Sequence, residues 1–552
     1  MGATSYSIYL LHPIANVAAE QYFPQAAFIQ GEGVATLAAG SPVQSRITGA
    51  AWFALVLMAT ANLFNYLDRQ IVSILAQSIK ADLRLDDADL GFILGTAFAV
   101  FYSVVGIAMG RISDFLPRKK LMAFGVALWS VMTALGGAAG SFTTLAFARI
   151  GVGVGEAVAN PCSNSLLADM FAKENRAAVL GANLSGTFLG GASAMVLGGV
   201  FLQFWGDMCT NLPWAGACSV KPWQAALYAV GLTGLPLALL ILLIREPVRP
   251  QPEDLTVGDV VSREVGAALP PFTFLALHRL GGRPALLRNL TITAGLIAVA
   301  LLLYWVTGDK AQWAAFAFGA YAVITWGQVQ SLRDRPLFAL TYGDRTFVMA
   351  AGATALIACI GGAVGVWSAP YAMRTFDKTP TEIGLSLGLI AAAGGFVGVL
   401  IGGYMTDRWR ARDLRAPMGM LALALTGIIP GIVVLLATRD FSVFLAAKFF
   451  IGVFSGLWGG ATAALMQDLV LPRMRGAASA AYSLVAIVVA SGIGPYWAGK
   501  VSVLTGSLNA GILSILLLAP LAYLLIWLVS RRLPDETPEA RLALAHSAGE
   551  TI

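Results

Sequence analysis

Four residues carry charge where charge is expensive. Asp68 and Arg69 lie inside AAWFALVLMATANLFNYLDRQIVSILAQSIK, residues 50–80, and Arg149 and Glu156 inside TTLAFARIGVGVGEAVANPCSNSLLADMF, residues 143–171. Each stretch is long and apolar enough to cross a bilayer, for which about 20 apolar residues suffice. A charge at the bilayer centre costs at least ~2.5–3.5 kcal/mol on insertion scales, so such side chains turn into a bundle and find partners there. Two chemistries are open to them. A buried carboxylate gains or loses a proton as a cation leaves or approaches, because burial favours the neutral acid and the cation the charged one. A guanidinium takes phosphate or carboxylate bidentately. Asp68 and Glu156 are therefore the candidate proton-coupling residues and Arg69 and Arg149 the candidate substrate ligands, with Asn65, Tyr66 and Asn160 as further lining candidates. The structural alternative is a static cluster that fixes helix register, in which Arg149 only neutralises an acid and Tyr66 is a packing aromatic.

Two helices must position these groups. Asp68 and Arg69 are ~100° apart around a helix, so they address different neighbours. Arg149 and Glu156 stand two turns apart, ~10.5 Å along one face. The reading pairs Arg69 with Glu156 and sets Asp68 near Arg149. Gly151, Gly153 and Gly155 lie between Arg149 and Glu156, and small residues let membrane helices approach closely.

The composition agrees with a bundle in lipid. Of 552 residues, 57% are hydrophobic and 12% charged, where a soluble chain carries about 25% charged. The mean hydropathy of +0.74 points the same way and excludes a large soluble core. The net charge of +6 collects in loops, as orientation signals do, and implies no nucleic-acid partner. His12, His278 and His546 all lie outside clear spanning segments, so proton traffic would fall to carboxylates. The four cysteines lack metal-ligand spacing, and no metal site is expected. Cys162 and Cys359 read as packing residues, while Cys209 and Cys218 share one short loop where a disulfide is expected.

Spanning segments are expected near 50–79, 88–110, 120–140, 143–171, 176–204 and 224–244, then 291–307 and 312–330, then 345–371, 382–405, 416–437, 441–470, 476–499 and 503–529. That gives an all-α multi-pass membrane protein with two six-helix halves and two additional helices between them. The domains are a tail, 1–49, expected to be poorly ordered or interfacial; a first half, 50–246; a central linker with two extra helices, 247–340; a second half, 341–530; and a polar tail, 531–552. Residues 245–290 are mixed, and the expectation is a plain linker or an amphipathic surface segment with Phe272, Phe274, Leu275 and Leu277 toward lipid and Arg279 and Arg283 near headgroups. Arg111, Arg118, Lys119 and Lys120, then Lys173 and Arg176, then Arg408, Arg410, Arg412 and Arg415 fall in loops on one side. By the positive-inside rule that side, with both termini, is cytoplasmic.

The halves repeat each other. Gly110 and Asp114 match Gly403 and Asp407, and Gly91 matches Gly384; Arg149 and Gly153 match Lys448 and Gly452, and Asp169 and Arg176 match Asp468 and Arg475. Duplicated halves are how many secondary transporters are built. The run Gly110-Arg-Ile-Ser-Asp114-Phe-Leu-Pro-Arg118-Lys-Lys resembles the signature loop of the major facilitator superfamily, departing at Phe115 and Pro117. Asn65-Tyr-Leu-Asp68-Arg69 and Arg149-Ile-Gly-Val-Gly-Val-Gly-Glu156-Ala157, with Asn160-Pro161 and Leu167-Ala-Asp169, resemble the Spinster family within it. That resemblance implies a proton-coupled transporter of sphingosine-1-phosphate or lysophospholipid-like amphipaths working by alternating access. It further implies Asp68 as the protonation site with Arg69 and Glu156 as the linked pair, and no cofactor beyond the proton gradient. The expected partners are the lipid substrate and membrane lipids, and the protein is expected as a monomer in the cell (inner) membrane. Small organic-anion symport is the near alternative and a membrane-embedded enzyme the distant one; no Gly-x-Ser-x-Gly, His-Glu-x-x-His or nucleotide-binding loop supports the latter. The loop charges read as a cytoplasmic gate, with Gly110, Asp114 and Arg118 in one half, Gly403, Asp407 and Arg408 in the other, and the pairs Asp169 with Arg176 and Asp468 with Arg475. The alternative is a cluster that only sets topology.

Overall fold

The computed structural model describes residues 49–172, 175–212, 216–247 and 257–550, and the expected N-terminal tail lies outside them. Among the described residues, 13 helices are long and apolar enough to cross a membrane. The first half comprises α1 (Gly49–Leu83), α2 (Asp87–Ser113), α3 (Arg118–Gly137), α4 (Phe142–Met170), α5 (Ala178–Thr210) and α6 (Pro222–Ile241). An insert follows, made of α7 (Val257–Ala268), α8 (Phe272–Thr307) and α9 (Lys310–Arg333). The second half comprises α10 (Arg345–Thr375), α11 (Pro380–Arg410), α12 (Ala416–Ala437), α13 (Phe441–Asp468), α14 (Pro472–Thr505) and α15 (Leu508–Asp535). A last helix, α16, spans Pro538–Ser547. Fourteen crossings are expected from sequence; α9 has the length but buries Gln312, Thr325 and Gln328 and is not among the thirteen.

Large apolar side chains stand on the outer surface, among them Leu239, Leu243, Trp305, Leu504 and Leu517, each more than 60% exposed. A surface this apolar fits lipid, where a helix satisfies its own backbone polar groups. One rim of the bundle carries Arg111, Arg118, Arg410, Arg412 and Arg473; we refer to it as the basic face and to the other rim as the opposite face.

The sequence repeat has a structural cause. Asp89 and Glu382 each close a capping box at the start of a helix, with Asp86 and Thr379. The matched glycines two residues further on lie on the two seams between halves. A Cβ on Gly91 would sit 2.5 Å from the Pro495 carbonyl oxygen of α14, and one on Gly384 would collide with the Met195 carbonyl oxygen of α5. The seams are therefore α2 with α14 and α5 with α11.

The C-terminal segment is packed down: Arg541 of α16 is 2% exposed and pairs with Asp344 at 3.0 Å and Glu536 at 2.7 Å. One region departs from expectation. The stretch before the extra helices is neither a plain linker nor a surface helix. Gly282, at φ 64°, reverses the chain inside α8. Thr273 and Asn289 both reach the Tyr321 hydroxyl, at 2.6 and 3.2 Å, while Gly281 faces Leu332. The chain thus descends from Thr273 to Gly281 along α9 and climbs back after Gly282. The descending limb packs on α7, whose Gly266 faces Ala276. Together they form a re-entrant helical hairpin, with Pro270 and Pro271 at its tip and its base at the basic face. Phe272 and Leu275 are exposed, as expected, but Leu277 is buried against the rest of the insert rather than facing lipid.

Candidate functional site

The glycine run before Glu156 lets α4 lie against two neighbours at once. A Cβ on Gly153 would stand 2.5 Å from the Phe98 carbonyl oxygen of α2, and one on Gly155 would stand 2.7 Å from the Trp129 nitrogen of α3. The helix is interrupted just past Glu156, resuming at Ala159, and α13 is interrupted at the matching place, between Leu457 and Gly459. Interrupted helices near the bilayer midplane frame substrate and ion sites in many transporters.

Glu156 is fully buried, and its Oε2 accepts from Arg69 Nη2 at 2.9 Å. The Arg69 side chain stays 24% exposed. Its guanidinium is caged by three rings, lying 4.5 Å from Phe98, 4.9 Å from Tyr66 and 5.1 Å from Tyr102. Asn65 Oδ1 accepts from the same Nη2 at 3.5 Å, the outer limit of a hydrogen bond. Arg149 shares the Phe98 ring from 5.4 Å. Asn160 is exposed and donates to the Tyr102 hydroxyl at 3.1 Å.

Asp68 lies near Arg149, as expected, with the contact made through the main chain. Arg149 Nη1 donates to the main-chain oxygen of Asp68 at 3.2 Å, not to its carboxylate. The Asp68 carboxyl points toward α3, beside the Thr133 hydroxyl, and has no ion pair among the described residues. The cause is the angular offset along α1, which sends adjacent side chains to different helices. The two acids are therefore unlike: Glu156 is ion-paired and Asp68 is not.

Between the halves lies a cavity of about 410 Å³. Tyr66 and Gln70 of α1 line one wall, with Leu184 and Phe188 of α5, Leu387 of α11, and Ser368 and Lys448 opposite. Tyr66 thus joins the cavity to the Arg69 cage. Lys448 is 8% exposed and donates to Ser368 Oγ at 2.7 Å; among the described residues no carboxylate pairs with it. The sequence places Lys448 opposite Arg149 in the repeat but gives it no role, and that match was the available signal.

The Major Facilitator Superfamily profile matches residues 58–373, more than half of the chain. The chain belongs to the major facilitator superfamily. Within it the chain is Spinster-like. It is 25% identical over 464 residues to Protein spinster homolog 1 of Xenopus tropicalis, covering 81% of this chain and 72% of that protein. It is also 28% identical over 492 residues to an MFS-type efflux pump of Mycolicibacterium smegmatis, covering 87% and 93%. The crystal structure of a bacterial homologue of the human lysosomal transporter Spinster, in an inward-facing and unoccupied conformation, aligns with a TM-score of 0.65 at 20% identity, covering 89% of this chain and 99% of that one. This member of the superfamily is a transporter and not an enzyme.

The superfamily's loop charges pair differently from expectation. Arg118 bonds Asp169 at 2.5 Å and Glu246 at 2.7 Å, tying the ends of α3, α4 and α6. Arg176 turns back to the Phe171 carbonyl at 3.3 Å rather than to Asp169, serving one of the carbonyls a helix end leaves unsatisfied. In the second half Asp468 pairs with Arg410, with Arg475 only within electrostatic reach. Arg408 donates to Tyr404 at 3.1 Å and not to its neighbour Asp407, because adjacent side chains diverge around a helix. Each tie stays inside one half. Gly110 and Gly403 sit on the last turns of α2 and α11; the Asp114 side chain lies outside what the structure describes.

The bonds seen across the halves lie toward the opposite face, and sequence reasoning missed them. Arg374 of α10 grips Asp87 of α2 at 2.7 and 2.8 Å and Ser502 of α14 donates to it at 2.7 Å, while Lys80, from the same half as Asp87, reaches that carboxylate at 2.5 Å. At the basic face a Cβ on Gly110 or Gly476 meets nothing within 4 Å.

Proposed function

We propose that this protein is a proton-coupled secondary transporter of amphipathic lipids bearing an anionic headgroup, sphingosine-1-phosphate or lysophospholipid-like, working by alternating access. The observation that carries the reading is the pairing asymmetry in the buried cluster. Glu156 is locked to Arg69, while the Asp68 carboxyl in the same cluster has no ion pair among the described residues. The protonation of Asp68 can then change without first breaking a bridge, and its charge acts on Glu156 and Arg149 through a medium that screens poorly. When Asp68 carries charge, Arg149 has a second acid to answer. When it is neutral, the cluster holds one excess positive charge, which favours an anion at the cavity.

The cavity suits a molecule with two ends. Lys448, Gln70 and Tyr66 offer polar contacts, and Leu184, Phe188 and Leu387 an apolar wall along the α5 and α11 seam. An ammonium in low dielectric is costly alone and gains from an anionic partner. Basic residues on the basic face orient it to the cytoplasm, which puts both termini there, in the cell membrane. The Asp87 cluster then closes the outside, and the conformation is inward-facing. A monomer contains the whole site.

Small-anion symport is the second reading. It is favoured by the same cations and by 27% identity over 187 residues, 34% of this chain, to a probable L-galactonate transporter of Escherichia coli. Reconstitution in liposomes separates the two. Lysolipid movement driven by an imposed pH gradient, absent for small dicarboxylates, supports the lipid reading; dicarboxylate movement without lysolipid movement supports the other.

A further inference from the structure

The re-entrant hairpin belongs to the insert and takes no part in the cavity between the halves. Its outer side holds a separate cavity of about 530 Å³, bounded by α7, the descending limb of α8 and the end of α9. Three guanidinium groups line it at the basic face: Arg263 of α7, Arg279 of the limb and Arg333 of α9. Phe272 and Leu275 line the part that runs toward the hairpin tip and Leu280 the part beside Arg279, and each is 46–58% exposed.

The charges do not balance. Glu264 is buried and serves two arginines, Arg333 at 3.2 Å and Arg111 of α2 at 3.7 Å. Among the described residues no carboxylate pairs with Arg263 or Arg279. The site therefore gathers three cations against one shared acid, at the level where α2 and α9 end. Beside them the cavity wall is apolar and exposed on the outer surface. Basic pockets between spanning helices on this side bind anionic headgroups, and planar guanidinium groups take phosphate oxygens in pairs.

We propose that this cavity holds one anionic phospholipid of the leaflet at the basic face. Its phosphate sits among Arg263, Arg279 and Arg333, and one acyl chain lies along Leu280, Leu275 and Phe272. The lipid fastens the hairpin to α9 and, through Glu264 and Arg111, to α2. The site is separate from the transport pathway, and the proposal does not depend on which substrate is carried.

Native mass spectrometry of the full chain in neutral detergent tests this. Phosphatidylglycerol, phosphatidylcholine and free glycerol 3-phosphate are titrated in turn. One phosphatidylglycerol is expected to be retained by the wild type in preference to phosphatidylcholine. Each basic residue near a bilayer surface contributes about 1 kcal/mol to anionic-lipid attraction, so Arg263→Gln with Arg279→Gln should weaken that binding about 30-fold. Arg283→Gln with Arg288→Gln removes the same charge from exposed positions outside the cavity and should leave it unchanged. Leu275→Trp keeps every charge and fills the apolar wall, and it should also lose the lipid. Equal loss in the Arg283/Arg288 variant would reduce the effect to general surface charge and overturn the proposal. So would equal binding of phosphatidylcholine, retention of phosphatidylglycerol by the Arg263/Arg279 and Leu275 variants, or binding of free glycerol 3-phosphate as strong as that of the lipid.

Discussion

Two acids in one buried cluster differ in what holds them, and this difference is testable residue by residue. Among the described residues the Asp68 carboxyl has no ion pair, so Asp68→Asn removes a charge and little packing. Thermal unfolding in detergent should place its stability within about 1 kcal/mol of wild type. Glu156→Gln differs, because it leaves the Arg69 guanidinium beside Phe98 without its acid. Removing one member of a buried pair costs 3–5 kcal/mol; with Arg69 partly exposed, about 3 kcal/mol is expected. Lys448→Gln should weaken an anionic lysolipid about tenfold, equivalent to 1.4 kcal/mol, and an uncharged monoacylglycerol far less. A competition assay with both lipids measures that split.

At the scale of elements, helices and their contacts were unequally legible. The glycines of the run before Glu156 announced close approach, and Gly153 against Phe98 and Gly155 against Trp129 are where it occurs. Gly153→Ala should cost about 1–3 kcal/mol through overpacking, read as a lowered unfolding temperature. The matched glycines Gly91 and Gly384 were visible as a repeat, but that they mark the two seams was not, since a periodicity does not say which helices meet. The loop charges were visible as charges and misread as partners. Adjacent residues on a helix diverge, and Arg118 reaches Asp169 and Glu246 through tertiary packing that spacing alone does not encode. The hairpin was hidden because its turn rests on the backbone of Gly282, at φ 64°, within a stretch whose arginines and prolines read equally as linker. Asp87 stands in sequence beside Asp86 and Asp89 with nothing to single it out, and only the tertiary fold brings it Arg374, Lys80 and Ser502.

For the molecule as a whole, the proposed alternating-access cycle makes the Asp87 cluster at the opposite face the contact that must break when that face opens. Asp87→Asn keeps a hydrogen-bonding side chain but loses its attraction for Arg374 and Lys80. It should shift the population toward outward opening; one to two kcal/mol corresponds to a roughly five- to thirtyfold change in the equilibrium. Spin labels at Gly110 and Gly476, where a side chain meets open space, would register the shift as a shorter distance across the basic mouth. The most direct test of coupling is lysolipid flux in liposomes with and without a pH gradient, comparing wild type with Asp68→Asn. The account predicts that the gradient accelerates the wild type, whereas Asp68→Asn still binds lysolipid but moves it at a rate indifferent to the gradient. Flux in Asp68→Asn that responds to the gradient as the wild type does would contradict it.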